Sequence, residues 1–357
     1  MLVLSVQVAA PGGFNLAGGT SMPALPAAVA IAGAIEPHLK EVDSLFAREL
    51  ASNLPHVQQL VKHVERFRGK MLRPTLVLLC GLATAGETSD NGSEDPLTHR
   101  HVVLATVVEM VHVATLVHDD ILDSAEIRRR GATINHLHGN EAAVLLGDYL
   151  ISHAFHLCSS LESQSDSRLI GHTTNVVCEG ELTQNFNRGN WQLSEAAYFD
   201  IIYRKTASLI ETSCRLGAMA SNAPHAVVEA LALYGRHLGL AFQIIDDVLD
   251  IVGQAKTVGK SLGSDIDKGK LTLPMIHFLA NAADSHRELL ISLLESPADD
   301  RVEHVRQLLM PSSSIAYARG RAQKLVDEAI SAIGILPAGP WRDILTEMAE
   351  FVTRREL

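Results

Sequence analysis

His112-Val-Ala-Thr-Leu-Val-His118-Asp119-Asp120-Ile-Leu-Asp123 decides how this chain is read, because an apolar helical pattern runs straight into a carboxylate triad. The arrangement recurs far downstream as Phe242-Gln243-Ile-Ile-Asp246-Asp247-Val-Leu-Asp250. Carboxylates seldom enter a protein interior unless they are paired or bound to metal. On a helix, Asp119 and Asp123 share a face, as do Asp246 and Asp250. Packed opposite one another, the two faces would form a nest of hard oxygen ligands whose mutual repulsion calls for cations. Mg2+ suits such ligands, since it keeps waters and bridges to substrate phosphates. A single copy reads more readily as a solvated acidic helix end, but two copies, each behind an apolar helix and ahead of a basic loop, do not. Asp119, Asp123 and Asp246 are the expected ligands, with Asp120, Asp247 and Asp250 as supporting or water-bridged ones.

The remainder of the sequence is helical in character. Of 357 residues, 47% are apolar and only 4% aromatic, with Ala, Leu, Val and Ile dominant, which suits a large helical core. The reading is one all-α domain over residues 31–357 behind an apolar, poorly ordered tail, residues 1–30, that lacks the basic start of a signal peptide. A formal net charge of −11 argues against nucleic acid as a partner. Outside the N-terminus no uninterrupted apolar run has the length of a membrane span. Cys80, Cys158, Cys178 and Cys214 lack metal-ligand spacing and read as buried free thiols of a reducing, cytoplasmic compartment.

Helical periodicity predicts elements at Pro37 to Asn53, Pro55 to Arg66, Thr75 to Ala83, His101 to His118, Glu141 to Leu161, Arg168 to Phe186, Ser194 to Ser221 and His225 to Val252. Five more follow, Thr272 to Ala282, Ser285 to Leu294, Asp300 to Leu309, Ser313 to Ile333 and Trp341 to Arg355. Strand alternation is missing throughout. Ala85 to Pro96 and Gly253 to Gly269 are breaker-rich loops, and Arg128-Arg129-Arg130-Gly131 is a short loop of high positive charge.

Against an acidic background the placement of the cations is informative. Lys70 and Arg73 flank a turn led by Gly69, Arg128 and Arg129 follow the first triad, Lys205-Thr206 lies mid-helix, and Lys260 and Lys270 follow the second triad. Any one of these is most simply a solvated side chain, although Lys205, flanked by Ile201, Ile202, Leu209 and Ile210, is hard to read that way. Together, Arg forks, Lys point charges and the neutral groups of Thr206 and Gln243 suit polyphosphate oxygens. Metal, phosphate donors and an apolar interior point to one chemistry, departure of diphosphate from a hydrophobic allylic substrate, with charge stabilisation at the leaving oxygen and water excluded from the carbocation. No Walker loop, nucleophile triad or dinucleotide turn competes with it.

These residues resemble the trans-isoprenyl diphosphate synthases. The landmarks are Gly69-Lys70-Met71-Leu72-Arg73-Pro74, the two Asp motifs, Arg128-Arg129, Gly147-Asp148, Lys205-Thr206-Ala207, Gly259-Lys260-Ser-Leu-Gly263-Ser-Asp265 and Gly269-Lys270-Leu-Thr-Leu-Pro274. The resemblance implies a bundle of long helices around a deep central apolar cavity, and Mg2+-dependent head-to-tail condensation of isopentenyl diphosphate onto an allylic diphosphate, farnesyl or geranylgeranyl. By that resemblance Asp119, Asp123 and Asp246 hold Mg2+ against the allylic diphosphate, assisted by Arg128, Lys205, Thr206, Gln243 and Lys260; Gln243, Lys260 and Lys270 together make the second triad a diphosphate clamp. Lys70, Arg73, His112 and Arg129 hold isopentenyl diphosphate. The released diphosphate takes the final proton. Two departures stand out: Arg68 rather than a second Gly precedes Gly69, and the extra Arg leaves Arg129-Arg130 as an alternative to Arg128-Arg129.

Small residues at Ala114 and Thr115, about one turn before Asp119, resemble the long-chain synthases that make quinone side chains. Val111, Met110, Leu146 or Leu150 are alternative floors for the prenyl tail. The partners implied are the two diphosphate substrates, a second copy in a homodimer, and a transient membrane contact for product release. The alternatives are a short-chain synthase and a non-catalytic subunit of a heteromeric synthase. A terpene cyclase would not keep Asp at the second motif.

Overall fold

The computed structural model describes residues 26–66, 69–85, 95–128, 131–253, 263–298 and 300–354. The helices in chain order are α1 (Pro26–Glu49), α2 (Pro55–Arg66), α3 (Leu72–Thr84), α4 (His99–Leu122), α5 (Ile134–Ser159), α6 (Gln164–Phe186), α7 (Glu195–Ile202), α8 (Ser208–Ala220) and α9 (His225–Val252). They continue with α10 (Ser264–Asp267), α11 (Leu273–Asn281), α12 (Asp284–Glu295), α13 (Arg301–Leu309), α14 (Ser314–Ala332) and α15 (Pro340–Arg354). The only ladder among the described residues is a hairpin of β1 (Ile127–Arg128) on β2 (Gly131–Ala132). The fold is therefore all-α, as the periodicity predicts.

The chain forms two compact units. One takes in the described residues up to Ile170 with Ser213–Ala232 and Ile333–Glu347; the other takes in Gly171–Thr212, Leu233–Ala332 and the described residues from Met348.

In the first unit α4 is the central element, packed by α1, α3 and α5. Residues 101–111 of α4 are buried without a break, so this helix is enclosed on every side until its last three turns, with His101, Thr106 and Glu109 as polar groups among apolar ones. It is long and apolar enough to cross a membrane, yet 78% of that window is buried inside the protein, as befits a core helix. On α5 the buried positions Ala143, Leu146, Gly147, Leu150, Ala154, Leu157 and Cys158 recur at helical spacing and define the face turned to α4. The start of α4 is secured twice. Arg100 makes a bidentate contact with the buried Asp166, at 2.8 Å to each oxygen. Thr98 and His101 form a capping box in which the Thr98 amide donates to His101 Nδ1 at 3.1 Å.

In the second unit α11 packs on α7 and α14, and α12 on α13. The His277 ring stacks on Tyr317 with centroids 4.1 Å apart, and the Tyr317 hydroxyl donates to Glu195 at the start of α7.

Several boundaries move from the predicted ones. Helix α1 starts at Pro26 and contains Pro37, because the Ala- and Ile-rich stretch ahead of the proline carries strong helix propensity. The predicted helix Ser194 to Ser221 is interrupted by a π-helical turn at Tyr203–Ala207. Its start is as expected, with Ser194 Oγ accepting from the Ala197 amide at 3.2 Å. Of the four cysteines, all free, Cys178 is exposed rather than buried.

Candidate active site

The two Asp triads differ in which neighbours bind them, but both divide the same way. In the first, on the last turn of α4, Asp120 is buried and receives Nε and a terminal nitrogen of Arg128, both at 2.7 Å from the same oxygen. Arg128 sits on β1, so the hairpin is pinned to the helix end. Asn135 ties the same turn together by donating to the carbonyls of Asp120 at 3.2 Å and Ala125 at 3.1 Å, while Thr133 Oγ1 donates to Ala125 at 2.6 Å. His63 of α2 meets the carbonyl of Ala132 on β2 at 2.8 Å. Asp119 and Asp123 remain half-exposed.

The same stripe of α4 carries His112 and Thr115, two of the groups that sequence reading placed in the site, but not Val111 or Ala114. His112, Thr115, Leu116, Asp119 and Asp123 are all half-exposed at helical spacing, whereas Val111 and Ala114 are fully buried at 0% exposure. Met110, Leu146 and Leu150 are buried with them. Thr115 Oγ1 donates to the carbonyl of His112 at 2.7 Å, a back-bond within the helix. Lys70 is exposed and Arg73 half-exposed at the start of α3. Arg129, expected to bind isopentenyl diphosphate, lies outside the described residues.

Close approach fixes the first triad from the α5 side. A Cβ on Gly147 would lie 2.1 Å from Nε2 of His118, the residue preceding Asp119. Only glycine leaves room for that ring, which also meets the carbonyl of Val144 at 3.2 Å.

In the second triad, on α9, Asp247 is the buried member. Its two oxygens accept from Tyr198 at 2.6 Å and from Gln243 at 2.7 Å, and Gln243 in turn accepts from Thr206 at 2.9 Å. Burial first, then the nearby charge of Asp265, pushes the Asp247 carboxyl well above its usual range. Asp250 serves the backbone: its oxygens accept from the amides of Ser264 at 3.3 Å and Asp265 at 3.0 Å, the first residues of α10. Burial and Asp265 raise its pKa to about 6, against the opposing pull of those amides. Asp246 is half-exposed. Gly263, with φ 74°, precedes α10, and the Gly263 amide donates to the Asp250 carbonyl at 3.0 Å.

Lys205 and Thr206 both belong to the π-helical turn, a feature that often marks functional positions. The Lys205 ammonium pairs with Glu181 of α6 and donates to Gln184 at 2.9 Å. Small residues let the flanking helices reach this turn: a Cβ on Gly180 would meet the Lys205 amide nitrogen at 2.7 Å, and one on Gly239 would meet Cα of Ala207 at 2.6 Å. Arg236 stacks over Tyr203, 4.3 Å from the ring centre, at the start of the turn. Lys270 is buried just after the left-handed Gly269. Lys260 lies outside the described residues.

Tyr198, Glu181 and Gln184 escaped sequence reading. The only available signal was the helical spacing of Glu181 and Gln184 beside Gly180, which is too common to single out.

The donor type suits a hard divalent cation, since Asp119, Asp123 and Asp246 are half-exposed carboxylates while Asp120 and Asp247 are turned inward. Among the described residues no three His, Cys, Asp or Glu side chains converge as a ready-made metal cage. Mg2+ does not need one, because it is commonly held by one or two carboxylates together with waters and substrate phosphates.

An all-helical protein with half-exposed carboxylates near the ends of two helices, Arg128 on the first triad and Lys205 on a π turn, has the makings of a prenyltransferase. The polyprenyl synthetase family model matches residues 54–310, and the chain belongs to that family. It is 33% identical to the octaprenyl diphosphate synthase of Haemophilus influenzae over 88% of this chain and 93% of that protein. It is also 33% identical to a short chain isoprenyl diphosphate synthase of Methanothermobacter thermautotrophicus, over 83% of this chain and 89% of that one. Among solved structures, the polyprenyl synthase of Caulobacter crescentus, complexed with calcium and isoprenyl diphosphate, superposes with a TM-score of 0.83 at 30% identity, covering 91% of this chain and 97% of that one. The chain is thus a prenyltransferase enzyme of the isoprenoid-synthase fold.

Proposed function

We propose that this prenyltransferase condenses isopentenyl diphosphate head-to-tail with an allylic diphosphate, farnesyl or geranylgeranyl, to give a long-chain all-trans polyprenyl diphosphate destined for a quinone side chain. The observation that carries the reading is the shared division of the triads, one carboxylate turned inward in each while Asp119, Asp123 and Asp246 are half-exposed. These three are the proposed ligands of Mg2+. When bound, that cation neutralises charge developing on the departing diphosphate. Lys205 adds a point charge to the allylic diphosphate, moving from its resting contacts with Glu181 and Gln184. Arg128, Thr206, Gln243, Lys260 and Lys270 are read as its further partners or supports, and Lys70, Arg73, His112 and Arg129 as the isopentenyl diphosphate set.

A long product is supported by the small side chains of Ala114 and Thr115 and by the octaprenyl relative. The short-chain relative keeps a shorter product as the second reading. Incubation with farnesyl diphosphate, labelled isopentenyl diphosphate and Mg2+, followed by sizing of the extracted product, decides between them. No elongation by folded protein would overturn the enzymatic reading, and a product stopping at four isoprene units would overturn the long-chain one.

We further infer a cytoplasmic homodimer with transient membrane contact at product release. Exposed Val144 and Leu145 on α5, the latter 68% accessible, are apolar side chains that a second copy would cover. Light scattering at micromolar concentration tests it, a monomer being the contrary result.

A further inference from the structure

The second triad is held by a residue with no place in the family motifs quoted above. Tyr198 lies on α7, is 3% exposed, and its hydroxyl donates to Oδ2 of Asp247, itself 4% exposed, at 2.6 Å. The other oxygen, Oδ1, accepts from Nε2 of Gln243 at 2.7 Å. The orientation of that amide is not arbitrary. The Asp247 carboxylate only accepts, so the nitrogen end of the amide faces it, and the Thr206 hydroxyl, which can donate or accept, gives its proton to Oε1 of Gln243 at 2.9 Å. Both oxygens of a buried carboxylate are therefore occupied by protein donors drawn from two different helices. Asp246, one residue earlier and so turned by about 100° around α9, keeps its half-exposed position.

We propose that Tyr198 is a positioning residue for cation binding: by holding Asp247 inward, it makes α9 offer the single carboxylate of Asp246 to the divalent cation and keeps Gln243 and Thr206 in one arrangement. This rests on the prenyltransfer reading given above. Without the hydroxyl, one oxygen of a buried carboxylate loses its donor, an arrangement too costly to persist. Asp247 then turns toward another partner, and the Thr206–Gln243–Asp247 chain turns with it.

The test is Tyr198→Phe, which keeps the ring and removes only the hydroxyl. Supporting residues around a metal commonly change metal affinity or activity by about 10-fold to 100-fold when lost, so the Mg2+ concentration at half-maximal rate should rise about tenfold. The KM for isopentenyl diphosphate should stay near the wild-type value. A readout independent of turnover is the rise in melting temperature on adding Mg2+ with inorganic diphosphate, which should be smaller in the variant than in the wild-type chain. A Tyr198→Phe protein that melts earlier but keeps wild-type Mg2+ dependence in both measurements would overturn the proposal, leaving Tyr198 a packing residue. In a double-mutant cycle, Tyr198→Phe should add nothing to Asp247→Asn, and additive losses would also overturn it. Should Tyr198→Phe fail to fold, Asp247→Asn probes the same contact from the carboxylate side, with unchanged Mg2+ dependence as the contrary result. If the wild-type chain shows no elongation yet the melting shifts differ as stated, the prenyltransfer reading falls while the positioning role stands.

Discussion

Arg128 clasps Asp120 through two nitrogens, both 2.7 Å from one carboxylate oxygen. Their side chains are only 23% and 9% exposed, so this is a substantially desolvated pair. Breaking a pair of this kind from one side leaves a charge stranded, which costs about 3 kcal/mol. Asp120→Ala should therefore lower unfolding free energy by about that amount in urea titration, and should lower kcat further, because the basic hairpin loses its anchor on α4. Asp120→Asn, which keeps an acceptor for Arg128, should lose less of both.

Gly147 allows the His118 ring to lie against the α5 backbone. Gly147→Ala would push a methyl group to within 2.1 Å of Nε2, so the ring next to Asp119 must rotate away from α5 and give up the Val144 carbonyl. Overpacking of this kind costs about 1–3 kcal/mol. Activity should fall more than stability suggests, and differential scanning calorimetry beside steady-state kinetics separates the two effects.

His101 gives the fold a defined response to acid. Its pKa is lowered from 6.5 to about 4, chiefly by burial, with Arg100 and His38 adding to the effect. The Thr98 amide donates to its Nδ1, so the neutral ring carries its proton on Nε2, toward Ser221 Oγ at 3.0 Å, and Ser221 donates to the Gly81 carbonyl at 3.0 Å. Because the folded pKa lies below the unfolded one, the unfolded chain takes up this proton first as pH falls. The contribution is intact above about pH 6.5 and is lost progressively toward pH 4, about 2 kcal/mol having gone by pH 5. Urea titrations at pH 7.5 and pH 5 should show that loss, and His101→Gln should remove its share of the slope.

Lys205→Met removes the cation on the π turn without removing bulk. If Lys205 meets the diphosphate as proposed, kcat should fall by about 10²-fold to 10³-fold, the range for losing one electrostatic donor to a transition state. The KM for isopentenyl diphosphate should move little. A fall confined to that KM would place Lys205 at the other substrate.

Ala114→Tyr should shorten the product while elongation continues, because a large ring would fill the buried side of α4 shared with Val111. A stability cost of about 1–3 kcal/mol should accompany it, since Ala114 is fully enclosed. Chromatographic sizing of the products is the measurement, and an unchanged distribution would remove Ala114 from the floor of the cavity.

Helix-period patterning made most of the fold legible, as at Pro55–Arg66 and His225–Val252, where observed and predicted limits coincide. Such segments bury one continuous face, and periodicity records burial directly. The π turn at Tyr203–Ala207 left no mark of that kind, because one extra residue in a turn changes hydrogen bonding without changing composition. The two Asp triads were legible from spacing alone, but not which carboxylate of each turns inward. Tyr198 was not legible, since it lies 49 residues from Asp247 in sequence and resembles any core tyrosine. Arg128 was legible as a cation, but its commitment to Asp120 depends on a hairpin of two-residue strands, too short to produce alternation.

The π turn also makes chain length matter there in a way that side-chain identity does not. Deleting one residue from Tyr203–Ala207 would relax it to an ordinary α-helical turn, and α8 would stay close to its present phase because the wider turn already absorbs the extra residue. Buried Leu209, Ile210 and Thr212 would keep their places. A deletion inside the turn should therefore be tolerated by the core while removing the bulge that carries Lys205 and Thr206, whereas one made further along α8 would turn that buried face away.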